Sequence, residues 1–133
     1  MTKHDNVSQG KIMKATEFVK KKGYKTAKLI VDCWCDYPET DVYLPDMMEY
    51  TFIAIAPTEN CPFVSLCDLK RLVESNEILG LFKSLDQAKA DVAACEYAGH
   101  ADLLVKLDCG IGYINTARVK QAIADVEACH EVN

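Results

Sequence analysis

Apolar positions along the chain switch between two periods. In residues 11–22 (KIMKATEFVKKK), Ile12, Ala15 and Val19 fall on helical spacing, and Gly23 follows as a stop signal, so a short helix is predicted. Leu29, Ile30 and Val31 then form a compact apolar run with β-branched members, which favours a strand over 25–31 rather than a second helix. The run Tyr50-Thr51-Phe52-Ile53-Ala54-Ile55 is β-branched and aromatic and predicts a strand, with Val42–Leu44 and Phe63–Val64 as shorter partners. All four prolines (Pro38, Pro45, Pro57 and Pro62) lie in this middle and exclude long helices from it.

Past Pro62 the period becomes helical. Ser65 and Asp68 form a capping signature, Leu66, Leu69, Leu72 and Val73 share one face, and Gly80 marks the stop. Ser84 with Gln87 repeats the signature and opens a helix that ends at Gly99. Residues 103–114 read as a hairpin or as a helix and turn around Gly110 and Gly112, and Asn115 caps a last helix. Leu85–Cys95 echoes Val119–Cys129 at an offset of 34 residues, which two helices sharing one apolar recipe explain better than a repeat array. The sum is an α+β fold, four or five short helices packed on a small antiparallel sheet. Residues 1–10 are polar and read as a disordered tail, which leaves 11–133 as a single domain.

Charge changes this picture most. The first 28 residues carry eight lysines against Asp5 and Glu17. From 29 to 69 there is no Lys or Arg, only eight acids: Asp32, Asp36, Glu39, Asp41, Asp46, Glu49, Glu59 and Asp68. Segregation of this kind points to a partner selected by electrostatics. The acidic stretch repels phosphate, so direct nucleic-acid binding is not expected. The polar start has no secretory leader pattern, and no apolar run approaches the roughly 20 residues that span a bilayer. A cytoplasmic protein is expected, with its seven cysteines reduced and most of them serving as small hydrophobes.

Catalytic and cofactor patterns are missing. Cys109-Gly-Ile-Gly-Tyr113 lacks the third glycine and the Lys-Ser/Thr of a phosphate loop. Cys33, Cys35, Cys61 and Cys67 suggest a zinc-stapled adaptor, but their gaps of one and five residues depart from the usual two to four. No catalytic residue, metal ligand or cofactor is therefore assigned. A small-ligand domain or enzyme with a site invisible in the sequence stays a further alternative. Ala88, Ala90, Ala93 and Ala94 would let helices approach closely in a homodimer.

The acidic middle is also the aromatic one. Asp36, Glu39, Asp41, Asp46 and Glu49 interleave with Trp34, Tyr37 and Tyr43, and with Met47 and Met48. Carboxylates steer a basic partner, and aromatic and Met side chains supply contact area. These eight charged and aromatic residues are the candidate partner-binding set.

Four phrases carry a resemblance: Phe18-Val-Lys-Lys-Lys-Gly-Tyr-Lys-Thr-Ala-Lys28, Asp68-Leu-Lys-Arg-Leu-Val-Glu-Ser75, Ser84-Leu-Asp-Gln-Ala-Lys89 and Val119–Cys129. In these flanks, less than half of its length, the chain resembles functionally uncharacterised small accessory proteins of temperate tailed phages and prophages. The resemblance implies a bacterial host cytoplasm and a host or defence protein with a basic surface as partner, bound as an inhibitor or by imitating DNA. It supplies no catalytic residue, and the acidic middle departs from its pattern.

Overall fold

The computed structural model describes residues 11–55 and 61–130, so the expected tail at 1–10 lies outside the described residues. The chain is α+β, with four α-helices and two small sheets among the described residues. It divides into two compact units, residues 1–71 and 72–133. None of the described helices is long and apolar enough to cross a membrane.

The first unit opens with a two-residue strand, β1 (Lys11–Ile12), followed by α1 (Ala15–Cys33) and a 3-10 turn, Trp34–Asp36. Strands β2 (Val42–Leu44), β3 (Glu49–Thr51) and β4 (Pro62–Ser65) complete it, with a second 3-10 turn at Ile53–Ile55 between β3 and β4. Sheet order is β1-β4-β2-β3, antiparallel except for the short parallel pairing of β1 with β4. The expected antiparallel sheet thus gains a parallel edge from residues assigned to the start of the first helix.

Two further expectations are corrected. The strand over 25–31 is helical, because Ala27 and Ile30 are buried three apart while Leu29 between them is exposed. An apolar triplet satisfies both periods, and the buried face decides. Gly23 does stop the first helical stretch: its φ of 87° and ψ of 162° lie in a region nearly reserved for glycine, and α1 breaks there. The strand over 50–55 ends at Thr51. Asp41 intervenes: its N–H donates to the Thr51 carbonyl at 3.0 Å, and its carboxylate accepts from the Ile53 N–H at 2.8 Å, which turns the chain into the 3-10 turn.

β2 is buried on both faces. Val42 and Leu44 join Cys61 and Phe63 in one apolar cluster. Across the pleat Tyr43 packs edge-on to Tyr50, whose hydroxyl donates to the Ile30 carbonyl at 2.5 Å and ties β3 to α1.

Helix α2 (Leu66–Leu79) begins where Ser65 Oγ accepts from the Asp68 N–H at 3.3 Å. The second unit then runs through α3 (Leu85–Tyr97), the hairpin β5 (Asp102–Leu107) and β6 (Gly110–Asn115), and α4 (Thr116–His130). Ser84 caps α3 by accepting from the Gln87 N–H at 3.0 Å. At its far end Gly99, with φ 81°, allows the His100 and Gly99 N–H groups to reach back to the Cys95 and Glu96 carbonyls, both at 3.0 Å. Asn115 caps α4 through the Ala117 N–H at 2.9 Å. Of the two readings of 103–114, the hairpin is the one that forms. One face of it is covered: Leu103 packs with Ala88, Val92, Val119 and Ile123 from α3 and α4.

Candidate functional site

The segment 34–50 is a locked loop followed by a hairpin. The Trp34 indole N–H donates to the Thr40 carbonyl at 2.9 Å, and the Thr40 hydroxyl donates to the Tyr37 carbonyl at 2.7 Å. The Tyr37 N–H closes the turn onto the Trp34 carbonyl at 2.7 Å. These bonds fix the loop backbone and leave Asp36 and Glu39 exposed on it.

The aromatic residues form a column. Tyr37 stacks on Tyr50 with ring centroids 4.9 Å apart and planes 19° apart, and Tyr50 meets Tyr43 edge-on at 5.0 Å. The column runs from core to solvent, since Tyr43 is buried and Tyr37 is half-exposed. Tyr43 is therefore no surface anchor in this structure; it supports Tyr50 from beneath, and Tyr37 presents the apolar face.

All five candidate acids are exposed, and among the described residues none of them takes part in an ion pair. Of the lysines upstream, Lys28 engages Asp32 at 3.6 Å. The five acids form two groups. Asp36, Glu39 and Asp41 sit around the base of the β2–β3 hairpin. Asp46 and Glu49 sit at its turn, about 10 Å further along β2 at the usual rise per strand residue. The pleat also separates them: Glu49 pairs with Leu44 and shares its side of the sheet, opposite to Tyr50.

The turn itself was not singled out by sequence as a special conformation. Met48 has φ 54°, a left-handed backbone that costs a non-glycine residue about 1–2 kcal/mol, and it is 76% exposed beside half-exposed Met47. Phe52 and Ile53 are exposed at the other end of β3, past its pairing of Thr51 with Val42. The legible signal was the Met pair lying between two predicted strands. The strain had none, because Met carries no preference for that region.

Burial raises the Tyr50 hydroxyl to about 12, aided by the negative charge of a Cys33 thiolate; the same two causes raise Tyr43. Since the folded value lies above the ordinary 10.0, this contribution to stability is complete below about pH 10 and is lost as pH rises through about 12. Tyr50→Phe should therefore lose the hydrogen bond to Ile30 at every pH, about 1 kcal/mol, and flatten the alkaline decline in stability. Tyrosinate absorbance against pH, read with thermal melts, checks this; an unchanged last titration step in the variant would refute the assignment.

The zinc set is not brought together: among the described residues no three His, Cys, Asp or Glu side chains converge as a metal site would require. Cys61 is buried, its thiol 3.8 Å from the Met47 sulfur, whereas Cys33, Cys35 and Cys67 are exposed. In the alanine set Ala88 is buried in the core of the second unit, and Ala90, Ala93 and Ala94 are exposed. Comparison of the chain with protein-family models, with curated proteins and with solved structures finds no match.

Proposed function

We propose that this protein is a non-enzymatic binding protein that meets a basic site on another protein through the loop 34–41 and the β2–β3 turn. The observation that carries this reading is the state of the acids: exposed carboxylates, none in an ion pair among the described residues, with Asp36 and Glu39 in the same loop as half-exposed Tyr37 and Asp46 and Glu49 at the hairpin turn. An unneutralised carboxylate next to a fixed ring has the two parts of an electrostatically steered contact, long-range attraction and a desolvated anchor. Asp36, Glu39 and Tyr37 form its centre, and Asp46, Met47 and Met48 extend it at the turn. The resemblance in the flanks suggests a host or defence protein as the partner in a bacterial cell, with inhibition or DNA mimicry as the outcome.

The test starts from proteins retained by the immobilised chain at low salt. Raising ionic strength from about 0.1 M to about 1 M shortens the Debye length from about 10 Å to about 3 Å, so the genuine partner should elute. The charge-neutral variant Asp36→Asn/Glu39→Gln/Asp46→Asn should lose it mainly through slower association, and Tyr37→Ala mainly through faster dissociation. Retention that ignores both salt and the charge-neutral variant overturns the reading.

A further inference from the structure

The β5–β6 hairpin leaves a strand edge open. Thr116 donates to the Ala101 carbonyl at 2.9 Å, and the ladder pairs Leu107 with Gly110 across a two-residue turn. Antiparallel bonding alternates, so residues 103, 105 and 107 spend their backbone groups on β6 while 102, 104 and 106 turn theirs outward. The Asp102 carbonyl is taken, since the Cys95 thiol donates to it at 3.1 Å. Leu104 and Lys106 have no such partner among the described residues.

This edge lines a groove. A volume of 350 Å³ lies between Leu104 and Lys106 on one wall and Leu81, Phe82, Gln87 and Asp91 on the other. Asp91 is held by the Gln87 amide at 2.8 Å. Lys83 and Lys106 also border the groove, and neither has an ion-pair partner among the described residues. The outer face of the hairpin continues it as apolar surface, with Leu104 55% and Tyr113 74% exposed and directly paired in register.

We propose that an extended peptide from another protein adds to β5 as an antiparallel strand in this groove. The register sets its chemistry. Side chains of paired residues lie on the same face. An acidic residue opposite Lys106 meets an unpaired cation. The next residue, opposite Val105, points inward toward Leu81 and Phe82 and is apolar. The third, opposite Leu104, is apolar and covers Leu104 beside Tyr113. From N to C terminus the segment reads acidic, apolar, apolar. Backbone exchange with Leu104 and Lys106 gives the affinity, and the side chains give the selection. A second copy of β5 offers matching charges, since Asp102 would oppose Lys106, but it would bring a second α3 against the one that forms the far wall of this groove. A bare strand from a partner has no such obstruction.

The probe is a capped peptide, Thr-Glu-Val-Leu-Thr, added to the full-length protein. Amide resonances of Leu104 and Lys106 should shift on addition, and their hydrogen exchange should slow. Methylating the peptide's Leu nitrogen removes the donor to the Leu104 carbonyl and should weaken binding about tenfold. Replacing its Glu by Lys should weaken binding too, and Lys106→Glu should reverse that preference. Leu104→Pro deletes the outward N–H without touching the β6 ladder and should abolish the effect; the methylated peptide gives the same answer if that variant folds poorly. Shifts that leave both amides unprotected, equal binding of the methylated peptide, or a peptide-independent dimer that protects both amides each overturn the proposal.

Discussion

Replacing Phe63 with alanine is expected to lower the unfolding free energy by about 3–5 kcal/mol. Phe63 is 4% exposed and packs with Val42, Leu44 and Cys61. Its strand is held on both sides, paired with Ile12 in β1 and, through Val64, with Tyr43 in β2. Strands fixed in this way cannot move in to fill the space, so the cavity term is added to the lost transfer energy. Domains of ordinary stability hold about 5–15 kcal/mol, so the variant forfeits about a fifth or more. Urea titration should show an earlier midpoint with a similar slope. Phe63→Leu should cost less than half as much, because it keeps most of the volume. Equal losses for the two variants would argue against close packing at this position.

Asp125→Ala should cost about 3 kcal/mol, through a different mechanism. Asp125 on α4 is 5% exposed. It accepts from the Ser75 hydroxyl at 2.7 Å and from the Gln121 amide at 2.9 Å. Ser75 on α2 is fully buried and in turn accepts from the Arg118 guanidinium at 3.1 Å. Removing the carboxylate strands the buried Ser75 hydroxyl with its desolvation cost unrecovered, whereas the amide of exposed Gln121 turns to water. Asp125→Asn retains one carbonyl acceptor and should cost about 1 kcal/mol. The double variant Ser75→Ala/Asp125→Ala should lose less than the two single losses added, since the second change removes a group the first left unpaired. Thermal melts of the four proteins measure this; strict additivity would dissolve the network.

Features of the sequence that act over a few residues were legible. Ser65, Ser84, Gly99 and Asn115 were marked as helix ends, and each has the hydrogen bond or backbone angle expected of it. These signals are local because the groups they satisfy lie within one turn. Features that depend on distant residues were not legible. Leu29-Ile30-Val31 suits either period until a buried face is specified. The aromatic set could be named but not sorted: Tyr43 went inward and Tyr37 outward because Tyr50 is pinned to a carbonyl 20 residues earlier in the chain. The Ser75–Asp125 contact spans 50 residues and left no trace in the spacing of either helix. The acids were seen as one set, whereas the pleat and the length of β2 part them into two groups.

The break at Gly23 also gives the triple lysine before it a local task. Lys20, Lys21 and Lys22 occupy the closing turn of the first helical stretch, where partial negative charge gathers on carbonyls that lack a following N–H. Ammonium groups there are each favoured by about 0.3–1 kcal/mol. Part of the positive block that makes the chain look polarised therefore neutralises a helix terminus, and swapping those three residues for glutamine should fray that terminus before it alters any recognition.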